Sequence, residues 1–516
     1  MSLRSRKSDR EGLFSGEKAE RAIIDIGSNT VRLVLYGASM RAPKVLLNEK
    51  VAARLGRDIA SSGELAQEAV DLALRGMERY ALVLGDLGIT DIEVVATAAV
   101  REAANGEDFL GQLRALGFAP KVLSGVDEAC TSAWGVIGAF PKARGMVADL
   151  GGGSLELVNV TGGAPSDAIS LPIGTLRLPE MADDHAGLKK ALEKKLRKAD
   201  IVKTDGSLYL VGGTFRAMAV FAMQRAGTPL TDPHGLSLPY DEAIKVAKEL
   251  AATSSDDLQA EPRISSMRAG MLPDAAVLIL TLLKHLKPDR VIISAWGLRE
   301  GLLFSRLPDH ARRQDPLLAG VAHFAAQRGA PPLLATRVAG WTVGAVAKNV
   351  QGSERLRLAA TMLSLAAMQI EPNLRIRQGV EWALHKRWLA VDPVGRAMMA
   401  AAICANGNNL DLPDELHAIA GDDALEEAIC WGYATRLCRR LGGRSRKSFE
   451  SSQLLVEDGT LILRLLTSHA ALFGVPNEKD LGLLADRLKL DARMEVVEHL
   501  EDITPVSGDN GIPIVG

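Results

Sequence analysis

Asp25-Ile26-Gly27-Ser28-Asn29-Thr30 and Asp149-Leu150-Gly151-Gly152-Gly153-Ser154 each follow a short apolar run, Ala22-Ile23-Ile24 before the first and Gly145-Met146-Val147-Ala148 before the second. Such runs read as buried strands, and the Asp and Gly that come after set a carboxylate and bare backbone N–H groups at one strand end. Val31 to Tyr36 resumes as a strand, so Ile23 to Tyr36 reads as a hairpin with Gly27-Ser28-Asn29 at its turn; the same shape returns between Met146 and Val160. One such hairpin is an ordinary tight turn. Two of them predict a duplicated α/β fold, with similar halves facing each other across a cleft and one loop from each half at its mouth.

Working outward, Glu64 to Leu84 has helical spacing, Ile92 to Ala96 is a strand, and Arg101 to Leu116 returns to helix. After the second hairpin the pattern predicts a charged helix over Leu188 to Ala199. A strand over Leu208 to Val211 then opens at Gly212-Gly213-Thr214 onto a helix, and a strand over Val291 to Ser294 leads into a helix over Leu298 to Phe304. From about Leu318 the chain is rich in Ala and Leu at helical spacing, with strand candidates scarce until Leu461 to Leu466, which places a boundary near Leu307 to Pro316. The expected organisation is a flexible tail over 1–19, lobes over 20–130 and 131–310, a mainly helical domain over 311–505 and a frayed tail over 506–516.

The 516 residues suffice for two to four domains, and 47% hydrophobic against 24% charged residues describes a globular chain. Lys and Arg number 61 against 63 Asp and Glu, so no global field draws the chain to nucleic acid or to a membrane surface. Cys130, Cys404, Cys430 and Cys438 are scattered without CxxC spacing, which reads as four buried thiols in a reducing cytoplasm. The charged N-terminus lacks the apolar core of a signal peptide, and the apolar stretch Leu358 to Ile370 is too short to span a bilayer. A soluble, cytoplasmic protein is expected.

Phosphoryl oxygens need donors, and glycine lets the backbone approach them closely. Gly27, Gly151, Gly152 and Gly153 supply that surface, with Ser28, Asn29 and Ser154 adding side-chain donors. No GxxxxGK[ST] motif is present. Asp25 and Asp149 close the two first strands and Glu156 stands on the strand leaving the second loop; carboxylates so placed suit Mg²⁺, which shares phosphate oxygens and keeps water.

Six segments, in this order, resemble the exopolyphosphatase and guanosine pentaphosphate phosphohydrolase family within the actin, sugar-kinase and heat-shock ATPase superfamily. They are Ile24 to Thr30, Ala96-Thr97-Ala98-Ala99-Val100-Arg101, Ser124-Gly125-Val126-Asp127-Glu128-Ala129, Asp149 to Glu156, Val211-Gly212-Gly213-Thr214, and Ser294 to Leu302. The resemblance covers residues from about 20 to 305 and implies two ribonuclease H-like, actin-like lobes. It implies Glu128 as the general base for an attacking water and Arg101 as a ligand of the phosphoryl group. Asp127, beside Glu128, is expected to cap the helix or to support the site from behind, since side chains one residue apart on a helix diverge. Gly212, Gly213 and Thr214 resemble the superfamily's nucleotide-side loop, to hold further phosphates or simply to turn the chain. Long relatives resemble His-Asp metal phosphohydrolases in the helical region, but Ser364-Leu365 stands where that pair would be, so no second metal centre is expected. His385 is read as part of a solvated helix face.

Two basic clusters lie in the helical region: Arg375, Arg377, Lys386 and Arg387, and then Arg436, Arg439, Arg440, Arg444, Arg446 and Lys447. A long polyanion would gain Coulomb attraction and counterion release along such a path, whereas aromatic residues at 4% leave little for nucleic-acid stacking. The expected substrate is inorganic polyphosphate, cleaved from its end with Mg²⁺; guanosine pentaphosphate is the alternative substrate and a silent polyphosphate or alarmone sensor the alternative class. A homodimer is expected, which could extend one basic path across both subunits.

Overall fold

The computed structural model describes residues 18–39, 41–202, 205–346 and 353–500; the expected tails, apart from residues 18 and 19 of the first, lie outside the described residues. Contacts divide the chain into two compact units. One runs to His323 and takes in Arg387–Asp392; the other comprises residues 324–386 and those from Pro393 onward. The stretch in which a boundary was expected, 307–316, falls inside the first unit, because Leu307 and Ala311 are buried in the core under its second sheet.

In the first unit, β1 Ala19–Ile26, β2 Val31–Ala38 and β3 Pro43–Val51 form an antiparallel meander, and β4 Ile92–Ala96 and β5 Pro120–Val122 extend it in parallel, in the order β3-β2-β1-β4-β5. The second sheet repeats this plan. β6 Gly145–Leu150, β7 Leu155–Thr161 and β8 Ala164–Leu171 make the meander, β9 Ser207–Val211 and β11 Arg290–Ser294 add in parallel, and β10 Ser237–Pro239 closes the far edge antiparallel to β11. The duplication read from the two hairpins is therefore a duplication of whole sheets.

Each sheet is covered on both faces, which is why its central strands are apolar at consecutive positions. Ala22, Ile24 and Ile26 of β1 face the helices Gln67–Asp86 and Gly106–Ala115, packing with Val70, Met77, Tyr80, Phe109 and Leu113. Burying each large side chain there contributes roughly 1.5–3 kcal/mol. The opposite faces are covered crosswise. Helix Leu298–Ser305 follows the second sheet in the chain, yet its Leu302 and Leu303 pack on Ile23, Val34, Tyr36 and Val95 of the first. Helix Gly125–Ala139 follows the first sheet, yet its Ala129, Ala133 and Val136 pack on Val147, Val158 and Val160 of the second. The two helices touch at Gly301, where a Cβ would stand 1.8 Å from the Thr131 carbonyl oxygen. Division of the lobes at residue 130 thus follows chain order rather than packing.

The expected helix from Arg101 to Leu116 is two helices, Ala98–Glu102 and Gly106–Ala115. Ala103 is extended, and the Asn105 side chain turns aside to bond the backbone of Leu65, accepting its N–H at 2.8 Å and donating to its carbonyl at 3.0 Å. The break sets Arg101 on a single turn of helix at the end of β4.

The second unit contains the helices Pro332–Val346, Ser353–Ala367, Arg375–His385, Pro393–Asn406, Asp422–Gly442 and Val475–Leu488, among others, and a three-stranded sheet. β13 Thr460–Leu466 pairs antiparallel with β12 Ser452–Glu457 and parallel with β14 Asp491–Val497. Only β13 had been expected, since its neighbours carry charged residues that blur the strand pattern. Cys404, Cys430 and Cys438 are buried, but Cys130 is only half-buried. No helix among the described residues is long and apolar enough to cross a membrane.

Candidate active site

Asp25 and Asp149 occupy the same place in the two hairpins. Asp25 stands opposite Arg32 in the β1–β2 register, and Asp149 opposite Glu156 in the β6–β7 register. Each tip is closed by the same bond, Gly27 N–H to the Thr30 carbonyl and Gly151 N–H to the Ser154 carbonyl, both at 3.0 Å. The tips face each other at close range. A Cβ on Gly152 would lie 3.0 Å from Asn29 Nδ2, and one on Gly153 2.8 Å from Ser28 Oγ, so bulkier residues would force them apart. The carbonyls of Gly151, Gly152 and Gly153 accept from the N–H groups of Thr175, Leu176 and Gly174 at 3.0, 2.9 and 3.3 Å. With the Gly151 N–H spent on Ser154, the N–H groups of Gly152 and Gly153 are left as the donors for a ligand.

Between the tips opens a cavity of about 560 Å³, lined by Gly27, Ser28, Asn29, Gly151 to Ser154 and Gly212 to Thr214, with Asp25, Asp149 and Glu128 in its wall. Gly212 at φ +115° turns β9 into helix Gly213–Arg225, bringing the third loop to the same cavity. Glu128 is delivered by helix Gly125–Ala139. Ser124 caps that helix, accepting the Asp127 N–H at 3.1 Å and donating to the Asp127 carboxylate at 2.7 Å. Ser124 is thereby the capping residue, with Asp127 as its partner in the first turn, and Glu128, one position on from Asp127, turns inward.

Glu128 accepts a hydrogen bond from Arg101 Nη1 at 3.0 Å, and the same nitrogen donates to the Leu123 carbonyl at 2.8 Å. Burial pushes the Glu128 carboxyl up to about 7, against the opposing pull of Arg101 and with Asp149 and Asp25 adding repulsion. Asp149 is raised to about 6, chiefly by burial, while the Ser132 hydroxyl donates to its carboxylate and Asp25 repels it. Burial also raises Asp25, with Arg299 Nε 3.8 Å away and Arg32 drawing it back down. These carboxylates share one electrostatic field, so ionising one opposes ionising the next.

The cavity has a cationic wall that pattern reading missed: Arg32, Arg216, Arg268 and Arg299 line it, with Lys50. Arg216 is held down to about 10 by burial and by the neighbouring Arg268 and Arg299. Arg268 reaches the third loop, where a Cβ on Gly213 would meet its Nη2 at 2.2 Å. Glu300 fixes the start of the crossing helix, accepting from the Gly297 N–H at 3.2 Å and the Tyr36 hydroxyl at 2.9 Å. Signals for Arg32 and Arg299 existed, one in the hairpin register and one inside the Ser294 to Leu302 segment. Arg268 sits in a connection with no motif of its own.

A profile of the Ppx/GppA phosphatase family matches residues 34–310, more than half of the chain. The chain belongs to the Ppx/GppA phosphatase family. Exopolyphosphatase 1 of Mycobacterium leprae is 30% identical over 307 residues, covering 56% of this chain and 90% of that one. The crystal structure of an exopolyphosphatase from Cytophaga hutchinsonii, 24% identical, aligns over 55% of this chain and 96% of its own with a TM-score of 0.51, a likeness of fold. A Ppx/GppA family structure from Aquifex aeolicus is 28% identical over 55% of this chain and 96% of its own, with a TM-score of 0.48. The two-lobed, actin-like arrangement of the first unit is that of the family.

Within this family frame, some expected site residues stand apart from the cavity. Arg101 and Glu156 do not line it. Arg101 reaches Glu128 from outside, and Glu156 is buried behind the wall, accepting from the Ser170 hydroxyl at 2.8 Å and raised well above the usual carboxylate range by burial and by Glu128 and Asp149. Among the described residues no three His, Cys, Asp or Glu side chains are grouped closely enough to hold a metal by themselves. Asp25, Asp149 and Glu156 therefore form no closed cage, and a cation there would depend on water and phosphate oxygens for the rest of its shell.

The basic clusters are likewise rearranged. Arg387 belongs to the first unit and is bound through both guanidinium branches to Asp232 at 2.8–3.1 Å. In the second unit Arg436 and Arg440 share Asp480, at 2.9 and 2.8 Å, and Arg446 pairs with Glu450 at 2.6 Å. Arg377 and Lys447 are exposed, and Lys386 stands 5.5 Å over the Phe324 ring. His385 lies 4.0 Å from Glu381 on its own helix, and Ser364 is buried in the last turn of helix Ser353–Ala367.

Proposed function

We propose that the protein is an exopolyphosphatase that removes the terminal phosphate of inorganic polyphosphate by attack of water. The observation that carries this is the cavity itself, where two glycine tips, buried carboxylates and four arginines converge while no aromatic ring stands among its lining residues. Such a wall recognises a chain of phosphates; a nucleobase is offered no stacking face there.

In this reading the terminal phosphoryl group rests between Ser28-Asn29 and Gly151 to Ser154, its equatorial oxygens taking the tip N–H groups and hydroxyls. Glu128, poised near 7, accepts the proton of a water aligned on phosphorus. The new P–O bond forms as the bridging P–O bond breaks, and the shortened chain leaves with the bridging oxygen along the arginine wall. Arg101 keeps Glu128 oriented and draws its carboxyl back towards the ionised form. Asp149 and Asp25 would hold Mg²⁺, with Glu156 behind them; mutual repulsion among these buried carboxylates is what a divalent cation relieves. Bound there, Mg²⁺ supplies neutralisation of the charge on the phosphate oxygens in the loose transition state.

Initial rates of orthophosphate release on long-chain polyphosphate and on guanosine pentaphosphate, each with and without Mg²⁺, test the assignment. The expected result is Mg²⁺-dependent release with polyphosphate preferred. A clear preference for the nucleotide transfers the same machinery to the alarmone, and release undiminished in Glu128→Gln removes the assigned base.

A further inference from the structure

The second unit contains a concentration of arginine that its own carboxylates do not match. Arg436, Arg439 and Arg440 recur at three- and four-residue spacing on helix Asp422–Gly442, so they share one face. Beyond its end Gly443 and Arg444 both take left-handed backbone, φ 60° and 67°, and Arg375 opens the helix Arg375–His385. Fully buried Asp480 is the carboxylate of this group, and it is already engaged by Arg436 and Arg440.

Three arginines are left over. Arg375 spends Nη2 on the carbonyls of Met368 and Ile370, at 3.3 and 3.1 Å, just past the end of helix Ser353–Ala367. That accounts for one branch of its guanidinium. Its Nε, together with Arg439 Nε and Arg444 Nη1, is buried from solvent with no hydrogen-bond partner. Burial and the charges of Arg436, Arg375, Arg440 and Arg444 together hold Arg439 down to about 10, so these groups crowd one locus. Helix C-termini attract cations with only about half an elementary charge each, too little to balance three guanidinium groups that each keep a buried nitrogen without a partner. Buried donors of this kind are costly unless an anion completes them.

We propose that Arg375, Arg439 and Arg444 form a phosphate-binding subsite on the second unit, independent of the cleft. A phosphate or phosphoanhydride group brings close to two negative charges and several acceptor oxygens, matching the planar donor forks of the three side chains. This locus lies in the helical region, where Ser364-Leu365 stands in place of the His-Asp pair of a metal centre. There the unit presents cations to an anion in place of ligands to a metal.

Calorimetry with methylenediphosphonate, whose P–C–P bridge resists hydrolysis, tests this on the full chain whether or not the catalytic reading holds. Wild type is expected to show two sites. Arg268→Gln should weaken the cleft site alone, and Arg375→Gln/Arg439→Gln the other alone, by about tenfold or more. In phosphate-free buffer Arg439→Gln is expected to raise Tm, because it removes an uncompensated charge, while abolishing the upward shift that methylenediphosphonate gives at that site. In the Arg268→Gln protein, binding of tripolyphosphate at least as tight as GTP identifies an inorganic chain as the occupant, and tighter GTP binding a nucleotide. The subsite is overturned if the double variant keeps both sites with affinities within about twofold, or if Arg439→Gln lowers Tm as loss of a structural arginine would.

Discussion

The two hairpins of the first unit share a backbone and differ in charge. At the position facing the first-strand aspartate, the first hairpin places Arg32 and the second places Glu156. Burial raises both aspartates; at Asp25 it is opposed chiefly by Arg299 and Arg32, whereas at Asp149 it is opposed chiefly by the Ser132 hydroxyl and reinforced by the charge of Asp25. One duplicated scaffold therefore yields an anion-receiving side and a side rich in buried carboxylate. The difference lies in one side chain at the same register position, the second residue of each outgoing strand.

The most severe test of this division is removal of the base on the acidic side. Glu128→Gln is expected to lower phosphate release by about a thousandfold with little change in KM, measured by steady-state kinetics. Next comes the contact between tips. Gly153→Val must displace Ser28, and an overpacking cost of roughly 1–3 kcal/mol predicts a loss of about tenfold to a hundredfold in kcat/KM, with the fold retained by circular dichroism.

The acidic side also predicts a trade of stability for function. Glu128 is raised from 4.5 to about 7 in the fold, so its protonated form stabilises the protein fully below 4.5, and that contribution is lost as pH rises through 7. In metal-free urea unfolding, Glu128→Gln should accordingly be more stable than wild type by roughly 1–2 kcal/mol at pH 8, after allowing for the lost bond to Arg101, with the advantage vanishing near pH 4. A constant difference across pH would show that burial does not govern this carboxyl.

The smallest effect sharpens the comparison most. Arg32→Gln should raise KM for polyphosphate about tenfold and leave the Mg²⁺ requirement unchanged, whereas Glu156→Gln should raise the Mg²⁺ concentration for half-maximal rate and leave KM nearly unchanged. Identical consequences for both substitutions would erase the distinction between the two hairpins.

Much of this was legible in order along the chain. Apolar runs ending in Asp-x-Gly foretold β1–β2 and β6–β7, and the duplicated sheet order follows from the same signal. A cap at the start of the Glu128 helix was read at Asp127, whereas the capping side chain is that of Ser124, with Asp127 as its partner. Illegible features were those made by residues distant in sequence. Arg268 and Arg216 meet at the cavity from different elements, and charged β14 pairs with β13 across an intervening helix. The basic clusters misled for a related reason: a count of arginines records charge, but not that Asp232 and Asp480 already occupy three of them.

By itself the sequence determined the hairpins, their glycine tips and the helix that carries Glu128, because strand alternation, turn chemistry and capping act over a few neighbouring residues. Only the tertiary structure decided that helices Gly125–Ala139 and Leu298–Ser305 each cover the other half's sheet, that Arg101 pairs with Glu128, and that Glu156 lies behind the cavity wall. Those outcomes depend on close approach between groups far apart in the chain, and burial there sets each charge by what surrounds it in space.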